Sequence, residues 1–418
     1  MANNLTATPS PFRSRRAVQI DAARGVAVFG IMLVNIWSFV WGFGSLRYGV
    51  MADPSFMDRA AVFIVAFLAE AKFYPIFAFL FGAGFALQTA ALRKRLPDWR
   101  SVRQSYRRRL KWLLGWGLLH GVLIWAGDIL TVYGLTGFLL LGMAGARLSR
   151  IRIALWCWAA AWLLLIAINV AGALPAVDAD AIELQQDAIA YVDDALATHA
   201  VYVSGATGEV LAQRIGDYGA ITAGSVLLVP HLMVLFLFGV LSVRLGWLTR
   251  PGRHLVLWRR VRATGLCLGI PFNLLWASMA LAETVNPLAA PAYGDLVFAL
   301  LPVGGSLLAA AWLASVMLAR GADGNVLARW IAPVGRMSLS NYLGQSLLCL
   351  LLLQGAGLAL GAAAVRRPAL LLLIAAAIML CQVLLSRWWL SRHAQGPVEG
   401  LYVRSGDAAK PGRADPVA

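Results

Sequence analysis

About ten stretches of this chain, each about 17–25 residues long and nearly free of charge, alternate with short basic or acidic connectors. A hydrocarbon layer about 30 Å thick is crossed by about 20 apolar helical residues, so this pattern is dictated by a bilayer and not by a water-facing core. With 60% hydrophobic and 13% charged residues over 418 positions, nothing is left over for a separate soluble domain. The expected fold is all-α: a polytopic membrane helix bundle of about ten transmembrane helices, with both termini cytoplasmic and one larger outer-side loop. The spans read as 22–42, 73–92, 110–127, 129–146, 152–174, 221–243, 263–283, 295–318, 335–360 and 369–387. Residues 59–72 are apolar too, but Arg59, Glu70 and Lys72 make them an interfacial helix leading into the second span.

A net charge of +16 would suit nucleic acid, yet its placement argues otherwise. Basic residues occupy alternate connectors: Arg13, Arg15 and Arg16 before span one, the cluster at 93–111, Arg147, Arg150 and Arg152, the cluster at 244–262, and Arg387 and Arg392. Connectors rich in Lys and Arg stay cytoplasmic, so these do, and nucleic acid is not an expected partner. The connector 175–220 instead carries Asp178, Asp180, Glu183, Asp187, Asp193, Asp194, Glu209 and Asp217, which places it outside; Arg366 and Arg367 break the pattern. The first span lacks a small-residue cleavage site and should be a retained anchor in a bacterial inner (cytoplasmic) membrane. Cys157, Cys267, Cys349 and Cys381 lie in apolar spans without metal-ligand spacing; packing roles and no metal site are expected.

Four regions follow. Residues 1–174 form an N-terminal membrane half, 175–220 an acidic extracytoplasmic lid, 221–395 a C-terminal membrane half and 396–418 a cytoplasmic tail, disordered after about 405. The lid reads as helical from about 180 to 198, then turns near 203–208 into a second short helix. About five spans in each half give the halves opposite orientation, the parity that inverted repeats require, although they share no residue-level similarity.

Ionisable and amide side chains inside a bilayer are expensive, so each one within the spans is a candidate for function. Asp21 and Arg24 share a helix face and can pair where span one meets the interface; Asn35 lies deeper and needs an interhelical partner or a polar cavity. His120 lies about ten residues into span three, about 15 Å from its start, where a neutral imidazole can serve as base or acyl-accepting nucleophile. Asp128 is about 12 Å farther along if that helix is regular, so a direct His–Asp pair is not expected. Asp128 is assigned instead to an outer mouth with Glu70 and Lys72, where carboxylates suit a hydroxyl-rich sugar. His231, after Pro230, reads as packing. Arg336, Asn341, Tyr342 and Gln345 make a polar stripe on span nine, and Arg336 with Arg24 could form a cytoplasmic-side pocket, since guanidinium groups grip phosphates bidentately. Each has a structural alternative: interfacial ion pairing, a histidine bonded to a carbonyl, charge anchoring, or amide-mediated packing. Gly82-Ala-Gly84 and Gly115-Trp-Gly117 read as close helix contacts.

The run from Gln19 to Asn35, with Asp21-Ala-Ala-Arg24-Gly25, resembles the first span of YeiB-like bacterial inner-membrane proteins, a family labelled a domain of unknown function. Further matches are Glu70-Ala-Lys-Phe73, Phe79-Leu-Phe-Gly-Ala-Gly84, Arg108-Arg-Leu110, Leu119-His-Gly-Val-Leu-Ile-Trp-Ala-Gly-Asp-Ile-Leu130, the run from Gly335 to Ser346, and Gly396-Pro-Val-Glu399. The resemblance covers about 18–402 in one order. Its Asp-x-x-Arg-Gly start and Phe-rich second span are also similar to transmembrane acyltransferases, namely heparan-alpha-glucosaminide N-acetyltransferase and the acyltransferase-3 group. That likeness implies transfer of an acyl group from a cytosolic donor to an extracytoplasmic sugar. Those enzymes carry an essential His at or soon after the outer end of span one; residues 36–72 here contain none, and Asn35 stands near its place.

Residues and resemblance together give the functional expectation. It is acyl transfer across the membrane from a cytosolic donor of the acyl-CoA type to an envelope glycan or glycolipid. His120, Asp128 and Glu70 are the catalytic candidates; Arg24, Arg336, Asn35, Asn341 and Gln345 would bind the donor. No cofactor is expected to be tightly bound, acyl-CoA being a co-substrate. Expected partners are membrane lipid, the glycan or glycolipid, and a second copy of the chain as a homodimer. The rival is a secondary transporter or lipid flippase that uses the same polar residues as its path; a third reading is a non-catalytic scaffold. The charge pattern makes its own prediction. Reporter fusions near 100 and 255 should report cytoplasm and one near 195 the outside; a cytoplasmic signal at 195 would overturn the orientation.

Overall fold

Long apolar runs become long helices because a backbone in hydrocarbon must satisfy its own hydrogen bonds. The computed structural model describes residues 15–401 apart from 45, 52, 179–180, 290–292 and 320–325. The chain opens with α1 (Arg15–Trp41), α2 (Phe56–Leu68), α3 (Phe73–Arg93), α4 (Trp99–Leu123), α5 (Leu130–Leu140) and α6 (Leu148–Asp178). The acidic connector holds α7 (Ala181–Ser204) and α8 (Thr207–Gly224), and α8 passes through a 3-10 turn, Ser225–Leu228, into α9 (Val229–Arg244). There follow α10 (Leu255–Val285), α11 (Gly294–Leu318), α12 (Val326–Arg336), α13 (Ser338–Leu353), α14 (Gly361–Arg366) and α15 (Ala369–Arg392). No strand occurs among the described residues.

The protein is a multi-pass membrane helix bundle. Among the described residues seven helical segments are long and apolar enough to cross a bilayer: Val18–Trp41, Phe56–Arg93, Leu148–Leu174, Thr207–Arg244, Pro251–Val285, Gly294–Leu318 and Ala369–Leu401. The other three expected spans are helical but shorter: the apolar part of α4, then α5 and α13. The expected two-helix connector is present, although its second helix continues into the span that follows. The tail from 405, expected to be disordered, lies outside the described residues, as does Arg13. Of the four cysteines, Cys349 alone is buried; Cys157, Cys267 and Cys381 are exposed on α6, α10 and α15, so three do not fill the core as expected.

Lipid tails are as apolar as leucine, so helices in a bilayer associate through close van der Waals fit. Glycine notches supply that fit. A Cβ on Gly82 of α3 would stand 2.0 Å from the Phe236 carbonyl oxygen of α9, and one on Gly239 of α9 would stand 2.0 Å from that of Phe79. On α1 and α12, Gly25 meets Ile331 and Gly335 meets the Asp21 carbonyl; on α10, Gly265 and Gly269 meet Leu307 and Leu308 of α11. Gly82 thus has the packing role expected of it. Gly115 faces open space, whereas Gly117 receives Thr131 and Asp128.

The α4–α5 hairpin positions the site. Residues 110–123 rise about 20 Å and the 11-residue α5 about 16 Å, both short of a hydrocarbon layer of about 30 Å. The turn 124–129 joins two apolar helical stretches, and irregular backbone in hydrocarbon is tolerated only if protein covers it. Covered it is: Trp125, Ala126 and Asp128 are buried, and α8 packs against α4.

The glycine notches give a direct test. Gly82→Leu should force α3 from α9 and cost about 1–3 kcal/mol or more, read as a lower melting temperature in detergent. Gly115→Ala, in open space, should melt with the native chain.

Candidate functional site

The last turn of α4 ends abruptly at His120. Its carbonyl accepts from both Ile124 N (2.9 Å) and Trp125 N (2.8 Å), which stops the helix and turns the chain back. Asp128 then starts α5 in the manner of a helix cap, its Oδ2 accepting from Thr131 N (2.8 Å) and Thr131 Oγ1 (2.9 Å). Its other oxygen, Oδ1, lies 2.9 Å from His120 Nδ1. The expectation that these two residues could not pair is thus corrected. It assumed a regular helix through residue 127, whereas the helix stops at Leu123 and reverses. Asp128 correspondingly sits beside His120, 3% exposed, and not at a separate mouth. Gly117 and Gly121 make the reversal possible: a Cβ at Gly117 would lie 2.7 Å from Asp128 Oδ2, and one at Gly121 would enter the Tyr218 ring.

The imidazole of His120 is 1% exposed, and its Nε2 is buried without a hydrogen-bond partner. With Nδ1 facing a carboxylate, the tautomer assigned by partner is Nδ1–H, which leaves a lone pair on Nε2. The Tyr342 ring lies 5.0 Å from the imidazole and that of Trp125 6.0 Å. Tyr342 Oη accepts from Ile129 N at 3.4 Å, so a residue of the span-nine stripe holds the turn.

Tyr342, Trp125, Gly127 and Ile129, which adjoin His120, line a cavity of about 1050 Å³ that His120 itself does not line. Asn35, Glu70 and Arg47 also face it. No hydrogen bond is made by the Asn35 amide to any described residue, while its backbone carbonyl accepts from Ser38, which in turn accepts from Trp125 Nε1 at 2.9 Å. His231 lines the far wall with both ring nitrogens engaged, to Tyr74 and Ser306, and its ring stacks on Trp162 at 4.3 Å.

Glu70 is held by an ion pair on one oxygen and two hydrogen bonds on the other. Arg47 Nε approaches Oε1 at 2.9 Å, and Oε2 accepts from Tyr48 Oη (2.7 Å) and Trp276 Nε1 (2.9 Å). In the loop after α1, burial and the Glu70 carboxylate push the Tyr48 phenol well above its ordinary range, so it remains the donor. A carboxylate so occupied positions Arg47 and Tyr48. Lys72, fully buried, donates to the Ala66 carbonyl at 2.6 Å and closes the end of α2.

The donor-side candidates lie toward the basic end. Arg24 pairs with Asp21 at 3.7 Å and approaches Gly84 of α3; Arg336 donates to the Ala394 carbonyl at 3.1 Å. The contact of Gly335 with Asp21 brings the two arginine-bearing segments to one crossing. Asn341 is spent on packing, its Nδ2 donating to Val334 O (3.1 Å) and Ser386 Oγ (2.9 Å). Gln345 is buried with both amide atoms unpaired.

Sequence reasoning missed Arg47, Tyr48 and Trp276, which lie in a loop and on a distant helix, and Arg214, which donates to Leu123 O and Gln354 Oε1, each at 2.7 Å. One signal was present for the reversal: Gly127-Asp128 with Thr131 three residues on is a helix-start pattern.

The profile described as protein of unknown function (DUF418) matches residues 242–405. The uncharacterized protein YeiB of Escherichia coli is 30% identical over 415 residues, covering 93% of this chain and 95% of its own. The uncharacterized protein YxaH of Bacillus subtilis is 28% identical over 402 residues, 92% of each chain. An uncharacterized 39.9 kDa protein from the amylase 3' region of Bacillus acidopullulyticus is 36% identical over 124 residues, 29% of this chain and 32% of its own. No solved structure matches.

Proposed function

We propose, from the premise that this chain belongs to the YeiB-like family, that it is an acyltransferase of the bacterial inner membrane, moving an acyl group from acyl-CoA to an envelope glycan or glycolipid. The observation that carries this reading is the His120–Asp128 pair, buried at 2.9 Å with Nε2 unpaired, behind the wall of a cavity large enough for a sizeable ligand. A carboxylate on Nδ1 fixes the tautomer and stabilises the imidazolium, which is what a general base needs.

In this mechanism Tyr342 swings aside and Nε2 removes the proton of an acceptor hydroxyl as its oxygen attacks the thioester carbonyl. The C–S bond breaks, and the departing thiolate takes that proton from the imidazolium and leaves as a thiol. Asp128 stays ionised throughout. Asn35, whose amide faces the cavity, polarises the carbonyl oxygen. Arg24 and Arg336, at the end rich in Arg and Lys, receive the donor's phosphates on the cytoplasmic side, and α7 with α8 forms the outer lid. Glu70 acts through Arg47 and Tyr48 as a positioning residue.

Purified protein in liposomes, supplied with radiolabelled acyl-CoA and membrane glycan extract, tests the reading. His120→Ala and Asp128→Asn should each lower transfer by about 10²–10⁴-fold, the contribution of a positioned base, with folding intact. Full activity in His120→Ala would leave that residue a packing role. Gradient-driven uptake of a solute or lipid without acyl transfer would establish the transporter instead.

The donor end is tested separately. Loss of one charge-assisted phosphate contact removes about 1.5–3 kcal/mol, roughly ten- to a hundredfold in affinity. Arg24→Gln and Arg336→Gln should each weaken acyl-CoA binding by that factor. Unchanged acyl-CoA affinity with weakened glycan binding would reverse the two ends.

A further inference from the structure

One wall of the cavity is built by α6, which packs against α9 and α11 yet is the least buried of the seven spanning segments. Near its start α6 packs normally, with Ile151 and Leu155 buried in a core cluster with α9. From Trp162 onward the same helix turns Leu165, Ile166, Asn169 and Gly172 onto the cavity instead. The opening has an unusual rim. Ile168 of α6, Leu227 of the 3-10 turn and Phe298 of α11 all line the cavity, yet each is about half exposed, at 56, 58 and 48%. All three lie in segments long and apolar enough to span the membrane. A mouth rimmed in this way faces hydrocarbon, and a water-soluble ligand would cross that rim at a cost.

The inner end has the opposite character. The Asn35 amide has no protein partner among the described residues, and Arg47 touches Glu70 and the Phe298 ring, with its terminal nitrogens making no hydrogen bond to a described residue. Asp295 also faces the cavity. Arg47 balances Glu70, and Asp295 leaves the lining without the positive excess that would favour a phosphate. Unpaired amide and guanidinium donors beside carboxylate acceptors, with the rings of Trp125 and Tyr342 adjoining, suit a neutral group rich in hydroxyls.

We infer that this cavity binds the sugar head group of a lipid-anchored acceptor, which reaches it sideways from the bilayer through the mouth formed by Ile168, Leu227 and Phe298. The head group lies against Asn35 and Arg47, and the tail leaves between α6 and α11. The inference deepens the acyltransfer reading by selecting a glycolipid over a free glycan, and it rests on that reading only in naming the ligand an acceptor.

The test is photolabelling in proteoliposomes, which needs no acyl transfer. One probe is a dialkyl glucoside carrying a diazirine on the sugar; the other is the methyl glucoside with the same diazirine. The lipid probe should label peptides of α1 and α6, with at least tenfold suppression by excess unlabelled dialkyl glucoside, while the methyl glucoside labels at background. Gly172 and Gly224 line the cavity, and a Cβ at either meets no atom within 4 Å. Gly172→Trp and Gly224→Trp should therefore fill the space and abolish labelling with the fold unchanged by circular dichroism; being on different helices, one serves if the other misfolds. Equal labelling by the methyl glucoside would overturn the lipid anchor. Absence of competable labelling, or labelling that survives both tryptophans, would overturn the site itself. His120→Ala should label as the native chain does, so a failure of the catalytic reading is distinguishable from a failure of this one.

Discussion

A helix that ends inside a bilayer must hide its loose carbonyls and amides, because an unsatisfied backbone group in hydrocarbon costs several kcal/mol, on the order of a whole hydrogen bond. The turn between α4 and α5 meets that constraint with side chains from across the bundle. Arg214 takes the Leu123 carbonyl, Asp128 takes the Thr131 amide, and Tyr342 takes the Ile129 amide. The His120–Asp128 pair follows from this arrangement. Once Asp128 caps α5 with one oxygen, the other has only the end of α4 to face.

The same economy fixes α8. Arg214 is 4% exposed and joins the α4 terminus to Gln354, whose Nε2 reaches the Phe39 carbonyl at 3.1 Å. Three helix ends are thereby tied to α8 through one guanidinium. Tyr218, also on α8, bonds Thr131 Oγ1 at 2.9 Å and fills the notch at Gly121. On the other side Glu70 gathers Arg47, Tyr48 and Trp276; Glu70 Oε1 meets Arg47 as an ion pair, and Arg214 Nε has no hydrogen-bond partner, so each network is held by several contacts without being saturated. The Asn35 amide and the Nε2 of His120 stand apart from these networks. Groups left unpaired between rigid walls are where a ligand can gain most.

The helices were legible because apolar runs of bilayer length admit few alternatives, and Gly82 was legible because small residues mark close approach in lipid. The candidate site was legible only in part. His120 stood out as a polar residue in an apolar span, but its partner did not, because an eight-residue separation was measured along a straight helix. A residue that caps a helix and one that pairs with a histidine look alike in sequence, and Asp128 does both. Arg47 and Trp276 were out of reach for another reason: their contacts with Glu70 span 23 and 206 positions, and no local pattern encodes them.

The motif Gly396-Pro-Val-Glu399 shows how far a resemblance can be carried. Its carboxylate accepts from Leu339 N at 2.8 Å, Ser340 N at 3.1 Å and the Ser340 hydroxyl, and Val398 N donates back to Ser340 Oγ at 3.1 Å. Glu399 thus caps the start of α13 at the positive end of its dipole, a structural task. Yet α13 carries Tyr342, which holds the turn beside His120, packs its ring 5.0 Å from the imidazole and also lines the cavity. A slip of α13 by a single residue would rotate Tyr342 by about 100° around the helix axis and take its hydroxyl from the Ile129 amide. The register that keeps Tyr342 against the turn is therefore set within one helical turn of it, where Glu399 caps the start of α13.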